Sequence, residues 1–81
     1  LRILFFGRLR DAAGTNEIAT PERFASLSDL RRWLTREHAE LAQSLDAAGV
    51  RVAIDGQIIH GRDSDLRTAK EIAFMPPMSG G

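Results

Sequence analysis

No cysteine occurs among the 81 residues, which excludes disulfides, thiolate metal sites and a cysteine nucleophile. Net charge is missing too. Eleven basic and eleven acidic residues cancel, whereas a nucleic-acid binder shows a basic excess or a clustered basic stripe. Binding to nucleic acid is therefore not expected. Lysine is almost absent, Lys70 being the only one, so the positive charge is carried by arginine. No long apolar run and no secretory leader can be read in the sequence, so neither a membrane nor export is expected, and the protein is placed in the cytoplasm. Repeats, low-complexity tracts and linkers are lacking. Gly7 and Gly14 do not have the spacing of a phosphate loop. With no thiolate and no paired carboxylates at ligand spacing, His38 and His60 do not make a metal site, and none is expected.

What is present is the composition of one ordinary globular domain, 43% hydrophobic and 27% charged. At this length a chain buries about 60–65% of the surface its unfolded form exposes. LRILFFG, with apolar residues at each position from Ile3 to Phe6, reads as a strand. Successive residues of a strand point to opposite faces, so both faces of this one are apolar. One can pack on a core; the other needs a second layer or a partner. RLRDAAG then reads as a short helix with Leu9, Ala12 and Ala13 inward and Gly14 as its stop.

NEIAT, residues 16–20, is a short second strand ended by Pro21. SLSDLRRWLTREH carries the clearest helix signal. Ser26 or Ser28 can cap it, and Ser26 with Asp29 resembles a capping box. Leu27, Leu30 and Leu34 recur at helical spacing, and Leu41 and Leu45 continue the stripe if the helix continues. Arg31, Arg32 and Arg36 fall mostly off it, as a solvated face. Trp33 reads as a partly buried helix residue, and His38 as a residue near a helix C-terminus, favourable to the dipole there when protonated. Gly49 breaks the helix. Residues 50–54 and 57–60 read as strands joined by Asp55-Gly56, a hairpin turn whose central positions want positive φ. Asp63, Ser64 and Asp65 lie in a polar connection anchored by Leu66. EIAFM is the last strand, stopped by Pro76, which lacks a backbone donor. The predicted class is α+β: a mixed sheet of about five strands wrapped on one main helix, the β-grasp architecture of ubiquitin.

The sequence finishes MPPMSGG. Two prolines hold a tail root extended and away from the sheet, and residues 77–81 form a flexible tail on a single domain of residues 1–81. From Pro77 to Gly81 the chain spans roughly 17 Å when extended. Glycines lack Cβ and enter narrow clefts, so an enzyme can reach a carboxylate at Gly81. That carboxylate is ionised at neutral pH and needs activation, for which adenylation by ATP is the general route. The acyl-adenylate can then accept a lysine amine, giving a protein modifier, or a sulfur, giving a thiocarboxylate.

LRILFFGRLRDAAGT at the start, SLSDLRRWL in the helix and EIAFMPPMSGG at the end together resemble the family of small sulfur-carrier subunits of molybdopterin synthase. The resemblance covers nearly the whole chain. The Pro-Pro before Gly-Gly sets it apart from the related thiamin sulfur carriers. It implies that Gly81 is adenylated and then thiocarboxylated. Met78, Ser79 and Gly80 would be the arm inserted into the active sites of an adenylyltransferase and of the large synthase subunit. Two carriers would flank a dimer of large subunits and supply the sulfurs that turn cyclic pyranopterin monophosphate into the molybdopterin dithiolene. The catalytic side chains would lie on the large subunit, and ATP would be used by the activating enzyme, with no cofactor held by this chain. The family's docking patch maps to Phe6, Ile58 and Met75, with Pro76 and Pro77 at the tail root. The alternative for those three apolar residues is completion of the core. Two departures stand out: Asp55 where the family commonly has Asn, and Ala69-Lys70 where it commonly has Gly-Asp. Competing readings are a ubiquitin-like modifier conjugated through Gly81, a carrier for thiamin or tRNA thiolation, and an interaction module indifferent to Gly81.

Overall fold

The two ends of the sequence meet at the centre of the sheet. In the computed structural model, which describes residues 1–20 and 23–77, strand β1 (Arg2–Phe5) lies parallel to β5 (Glu71–Met75), with Ile3 opposite Ile72 and Phe5 opposite Phe74. β2 (Glu17–Ala19) pairs antiparallel with β1 on one side. β3 (Arg51–Ile54) pairs antiparallel with β5 on the other, and β4 (Gln57–Ile58) closes the edge beside β3. The order is β2-β1-β5-β3-β4. A mixed five-stranded sheet with its helices on one face is the β-grasp architecture.

Register decides which residues meet the helices. Ile3, Phe5, Val52, Ile72 and Phe74 are buried on the inner face, and the rings of Phe5 and Phe74 stack with centroids 6.1 Å apart. Helix α1 (Arg8–Ala13) contributes Leu9, and its left-handed stop is Gly14. Ala12, expected inward, is exposed. The helix has only six residues, and one turn and a half presents room for little more than Leu9 and the half-buried Ala13.

Helix α2 (Leu27–Glu37) is capped by Ser26, whose side-chain oxygen accepts a hydrogen bond from the Asp29 N–H at 3.2 Å. Ser28 is not the cap; its N–H donates to the Asp63 carboxylate at 2.9 Å. Leu27, Leu30 and Leu34 are buried as their spacing predicts. The helix does not run on unbroken. His38 adopts φ −143°, ψ 64°, and a second helix α3 (Ala39–Leu45) follows it. On a straight helix the next core-facing positions after Leu34 would be 37 and 38, three and four residues on. Those are Glu37 and His38, and the break leaves both exposed while Leu41 and Leu45 still reach the core.

Arg31 also departs from a purely solvated role. Its guanidinium lies 5.8 Å from the Phe74 ring centroid and 3.2 Å from the Asp46 carboxylate, tying α2 to the end of α3. Trp33 is partly buried between Phe24 and His38. In the hairpin, Asp55 and Gly56 have φ 48° and 86°, the two positive angles that this turn demands.

Candidate functional site

Alternation along each strand leaves a second, outward face. In β5 it carries Glu71, Ala73 and Met75; in β1, Arg2 and Leu4. Ala73 is opposite Leu4 on one side and Ala53 of β3 on the other, and Ala53 is opposite Ile58 of β4. Phe6 extends the alternation of β1 by one step, its N–H donating to the Phe74 carbonyl at 3.1 Å. Phe6, Met75 and Ile58 thus surround a floor of two alanines. Phe6 and Ile58 are the large hydrophobic residues left open among the described residues, 47% and 44% exposed. Met75 is half-buried. Neither Phe6 nor Ile58 completes the core.

Leu4, Ala53 and Ala73 were not singled out as site residues in the sequence, although the alternation of EIAFM contained the signal for Ala73. The two alanines in adjacent strands are themselves buried, so the open apolar surface of this face is that of Phe6 and Ile58. Charge borders this floor: the Arg2 guanidinium donates to the Glu71 carboxylate at 2.6 Å across the β1–β5 pair, and Arg51 stands opposite Met75.

The tail root leaves from the same end of the sheet as Phe6 and Met75. Pro76 and Pro77 are half-buried. Pro77, expected as the first residue of a free tail, is seated against the body and helps line a hollow of about 170 Å³ with Arg8, Leu9, Ser44, Ala47 and Val50. The expected arm of Met78, Ser79 and Gly80 and the expected reactive end at Gly81 lie outside the described residues.

The opposite end of the sheet is organised by Asp55. Its carboxylate accepts backbone N–H bonds from Lys70 at 3.0 Å and Glu71 at 2.9 Å. The two departures from the family pattern, Asp55 and Ala69-Lys70, therefore adjoin each other, far from the tail root. Asp63 and Asp65 form a structural turn. The N–H bonds from Ser28 and Ser64 hold the Asp63 carboxyl below the usual carboxylate range, and the Arg67 guanidinium holds that of Asp65 down at about 2. Among the described residues no three of His, Cys, Asp and Glu converge as metal ligands. No described helix is long and apolar enough to cross a membrane.

Comparison with known proteins adds to this geometry. Residues 3–81 match the ThiS family. The chain is 32% identical over 81 residues to the molybdopterin synthase sulfur carrier subunit of Haemophilus influenzae, covering 100% of this chain and 99% of that protein. It is 27% identical over the same length to the Escherichia coli protein of that name, with the same coverage of 100% and 99%. Among solved structures it is similar to small archaeal modifier protein 1 from Methanosarcina acetivorans, with TM-score 0.72, 27% identity, and coverage of 99% of this chain and 94% of that one.

Proposed function

The chain belongs to the ThiS family, and from that premise we propose that it is the sulfur carrier subunit of a molybdopterin synthase. The observation that carries the reading is the open apolar face of Phe6, Ile58 and Met75, ending at the Pro76-Pro77 root of a segment that finishes in Gly80-Gly81. A carrier needs both parts: a surface that docks and an arm that reaches beyond it. The full-length likeness to two molybdopterin synthase sulfur carrier subunits supports the pathway.

In this reading the Gly81 carboxylate attacks the α-phosphorus of ATP in the activating adenylyltransferase, and pyrophosphate leaves. A hydrosulfide-level sulfur then attacks the acyl carbon and AMP leaves, giving the thiocarboxylate. Docked on the large subunit, the thiocarboxylate sulfur attacks a side-chain carbon of cyclic pyranopterin monophosphate, and an oxygen substituent leaves that carbon. Water then cleaves the acyl–sulfur bond and returns Gly81 as a carboxylate. Two small and two large subunits would form the assembly. Met78, Ser79 and Gly80 thread the active sites, and Phe6, Ile58 and Met75 hold the body outside them. The chain acts as co-substrate and subunit, with the catalytic side chains on its partner.

A second reading has its own support. The likeness to a small archaeal modifier protein favours conjugation, in which a lysine amine displaces AMP from the same adenylate. One experiment separates the two. The protein is incubated with ATP, a molybdenum-pathway adenylyltransferase shown to be competent on a known carrier, and a sulfur donor. It is then treated with a thiol-directed alkylating reagent and fragmented in the mass spectrometer. Because the sequence has no cysteine, label on Gly81 reports a thiocarboxylate and cannot be confused with oxidised Met75 or Met78. Label that disappears on deletion of Gly81 supports the carrier. Absence of label refutes it, and lysine-linked adducts ending in Gly81 would favour the modifier.

A further inference from the structure

We propose that Gly7 and Gly49 form a paired seat for Pro76 and Pro77 that fixes the direction in which the chain leaves the body, making both glycines positioning residues for activation of Gly81. The proposal rests on the carrier reading for its functional consequence, but the seat itself is a matter of geometry.

The sheet register carries it. Phe5 is opposite Phe74 in the parallel β1–β5 pair, so two residues further on Gly7 falls opposite Pro76. Arg51 is opposite Met75 in the antiparallel β3–β5 pair, so two residues beyond the strands Gly49 falls opposite Pro77. The prolines have no N–H, so they cannot extend the hydrogen-bonded ladders on both sides. Close packing replaces it. A Cβ added to Gly7 would lie 2.8 Å from Pro76 Cγ, and one added to Gly49 would lie 2.7 Å from Pro77 Cβ and 3.8 Å from its Cα. Carbon atoms rest at about 3.5–4.0 Å, so each proline occupies the volume that any other residue would fill. A proline ring cannot swing aside as a long side chain can, because its atoms are tied to the backbone. Both glycines have positive φ, 57° and 87°, and both approach the two prolines that precede Met78 to Gly81.

Two glycines, one just after β1 and one just before β3, therefore grip consecutive prolines from the two sides of β5. With the rings seated, the backbone at Pro77 has one heading. Four residues remain to Gly81, a span of roughly 13–14 Å at most, so a small change of heading at the root moves the end group by several ångströms. Displacing Pro77 by the roughly 1 Å needed to relieve the Gly49→Ala contact is of the size that misplaces a reacting group and costs up to about 100-fold in rate.

The test uses Gly49→Ala, with Gly14→Ala as its control. Gly14 also has positive φ, 75°, but a Cβ there meets nothing within 4 Å, so it reports backbone strain without the contact. Thiocarboxylate formation is followed with the activating enzyme, varying the carrier concentration. Gly49→Ala is expected to lower kcat about 10- to 100-fold with KM within twofold, since the docking face is untouched, while Gly14→Ala changes neither. In a Pro77→Gly background, where no ring remains to be displaced, Gly49→Ala is expected to cost less than threefold. Equal effects of the two alanine variants, or full additivity of Gly49→Ala with Pro77→Gly, would overturn the proposal. A nuclear Overhauser contact between the Gly49 α-protons and the Pro77 β-protons checks the seat without any enzyme. Its absence from the wild type refutes the seat whatever the kinetics. Lack of wild-type labelling with that contact present would refute the carrier reading alone.

Discussion

Replacing Phe6 by alanine should weaken docking on the large synthase subunit by about 30-fold and leave the fold intact. A phenylalanine side chain offers ~200 Å², and Phe6 is 47% exposed, so about 95 Å² of apolar surface is still open for a partner to cover. At about 25 cal/mol per Å² that surface contributes ~2.4 kcal/mol. Alanine keeps the β-carbon, leaving a loss of about 2 kcal/mol, and each 1.4 kcal/mol is tenfold in affinity. Titration calorimetry against the large subunit gives the dissociation constants, and urea unfolding gives the stability of each variant. The stability should fall by up to about 2 kcal/mol, because the covered part of the ring, about 105 Å², is lost from the body as well, while the strand pairing stays intact because the Phe6 N–H keeps its bond to the Phe74 carbonyl. Affinity within threefold of wild type, measured where the variant is fully folded, would refute the assignment of Phe6 to the docking face.

Two further predictions concern the body. Leu30→Ala removes a side chain with no exposed surface and should cost about 2–5 kcal/mol in urea unfolding. That is a large share of the roughly 4–12 kcal/mol expected for a chain of this length, and a loss below about 1 kcal/mol would mean that the α2–sheet packing is misassigned. The second is a pH dependence. Asp63 and Asp65 have folded-state pKa values below their unfolded ones, so their contribution is complete above the ordinary carboxylate range near 4. It is lost as pH falls through the folded values, about 2 for Asp65. The urea midpoint should therefore decline between about pH 4 and 2, less steeply in Asp63→Asn; parallel profiles of the two proteins would overturn the assignment.

Much of the fold was legible because its signals are local. Asp55-Gly56 names its own turn, Ser26 and Asp29 mark a helix start, and Glu71–Met75 is bounded by the proline that ends it. The end of the main helix near His38 was legible, but the leucine stripe left open whether the helix ran on to Leu41 and Leu45; the polar Glu37-His38 pair at core-facing positions was the sign that a separate helix follows. Ala12 was placed inward from spacing, yet a helix of six residues has too little face to bury it. For the candidate site, Phe6, Ile58 and Met75 were found from the family pattern, and the register brings them to one face. Gly7 and Gly49 carried no local sign beyond ending an element. Their relation to Pro76 and Pro77 is set by strand pairing between distant segments, which neither stretch encodes by itself.

The place of β5 in the sheet has a consequence for how the molecule is made. β1 and β3 are not paired with each other; each is hydrogen-bonded to β5, which lies between them, and the Arg2–Glu71 pair joins residues 69 apart in sequence. Hairpin and helix contacts can form as the chain emerges during synthesis, but the sheet stays in two halves until residues 71–75 arrive. Closing so long a loop is paid in entropy before any of its contacts form. The strand that unites the body is also the one that leads into the Pro76-Pro77 root. A half-made molecule therefore has neither a continuous apolar outer face nor seated prolines at positions 76 and 77, and both appear together in one late step.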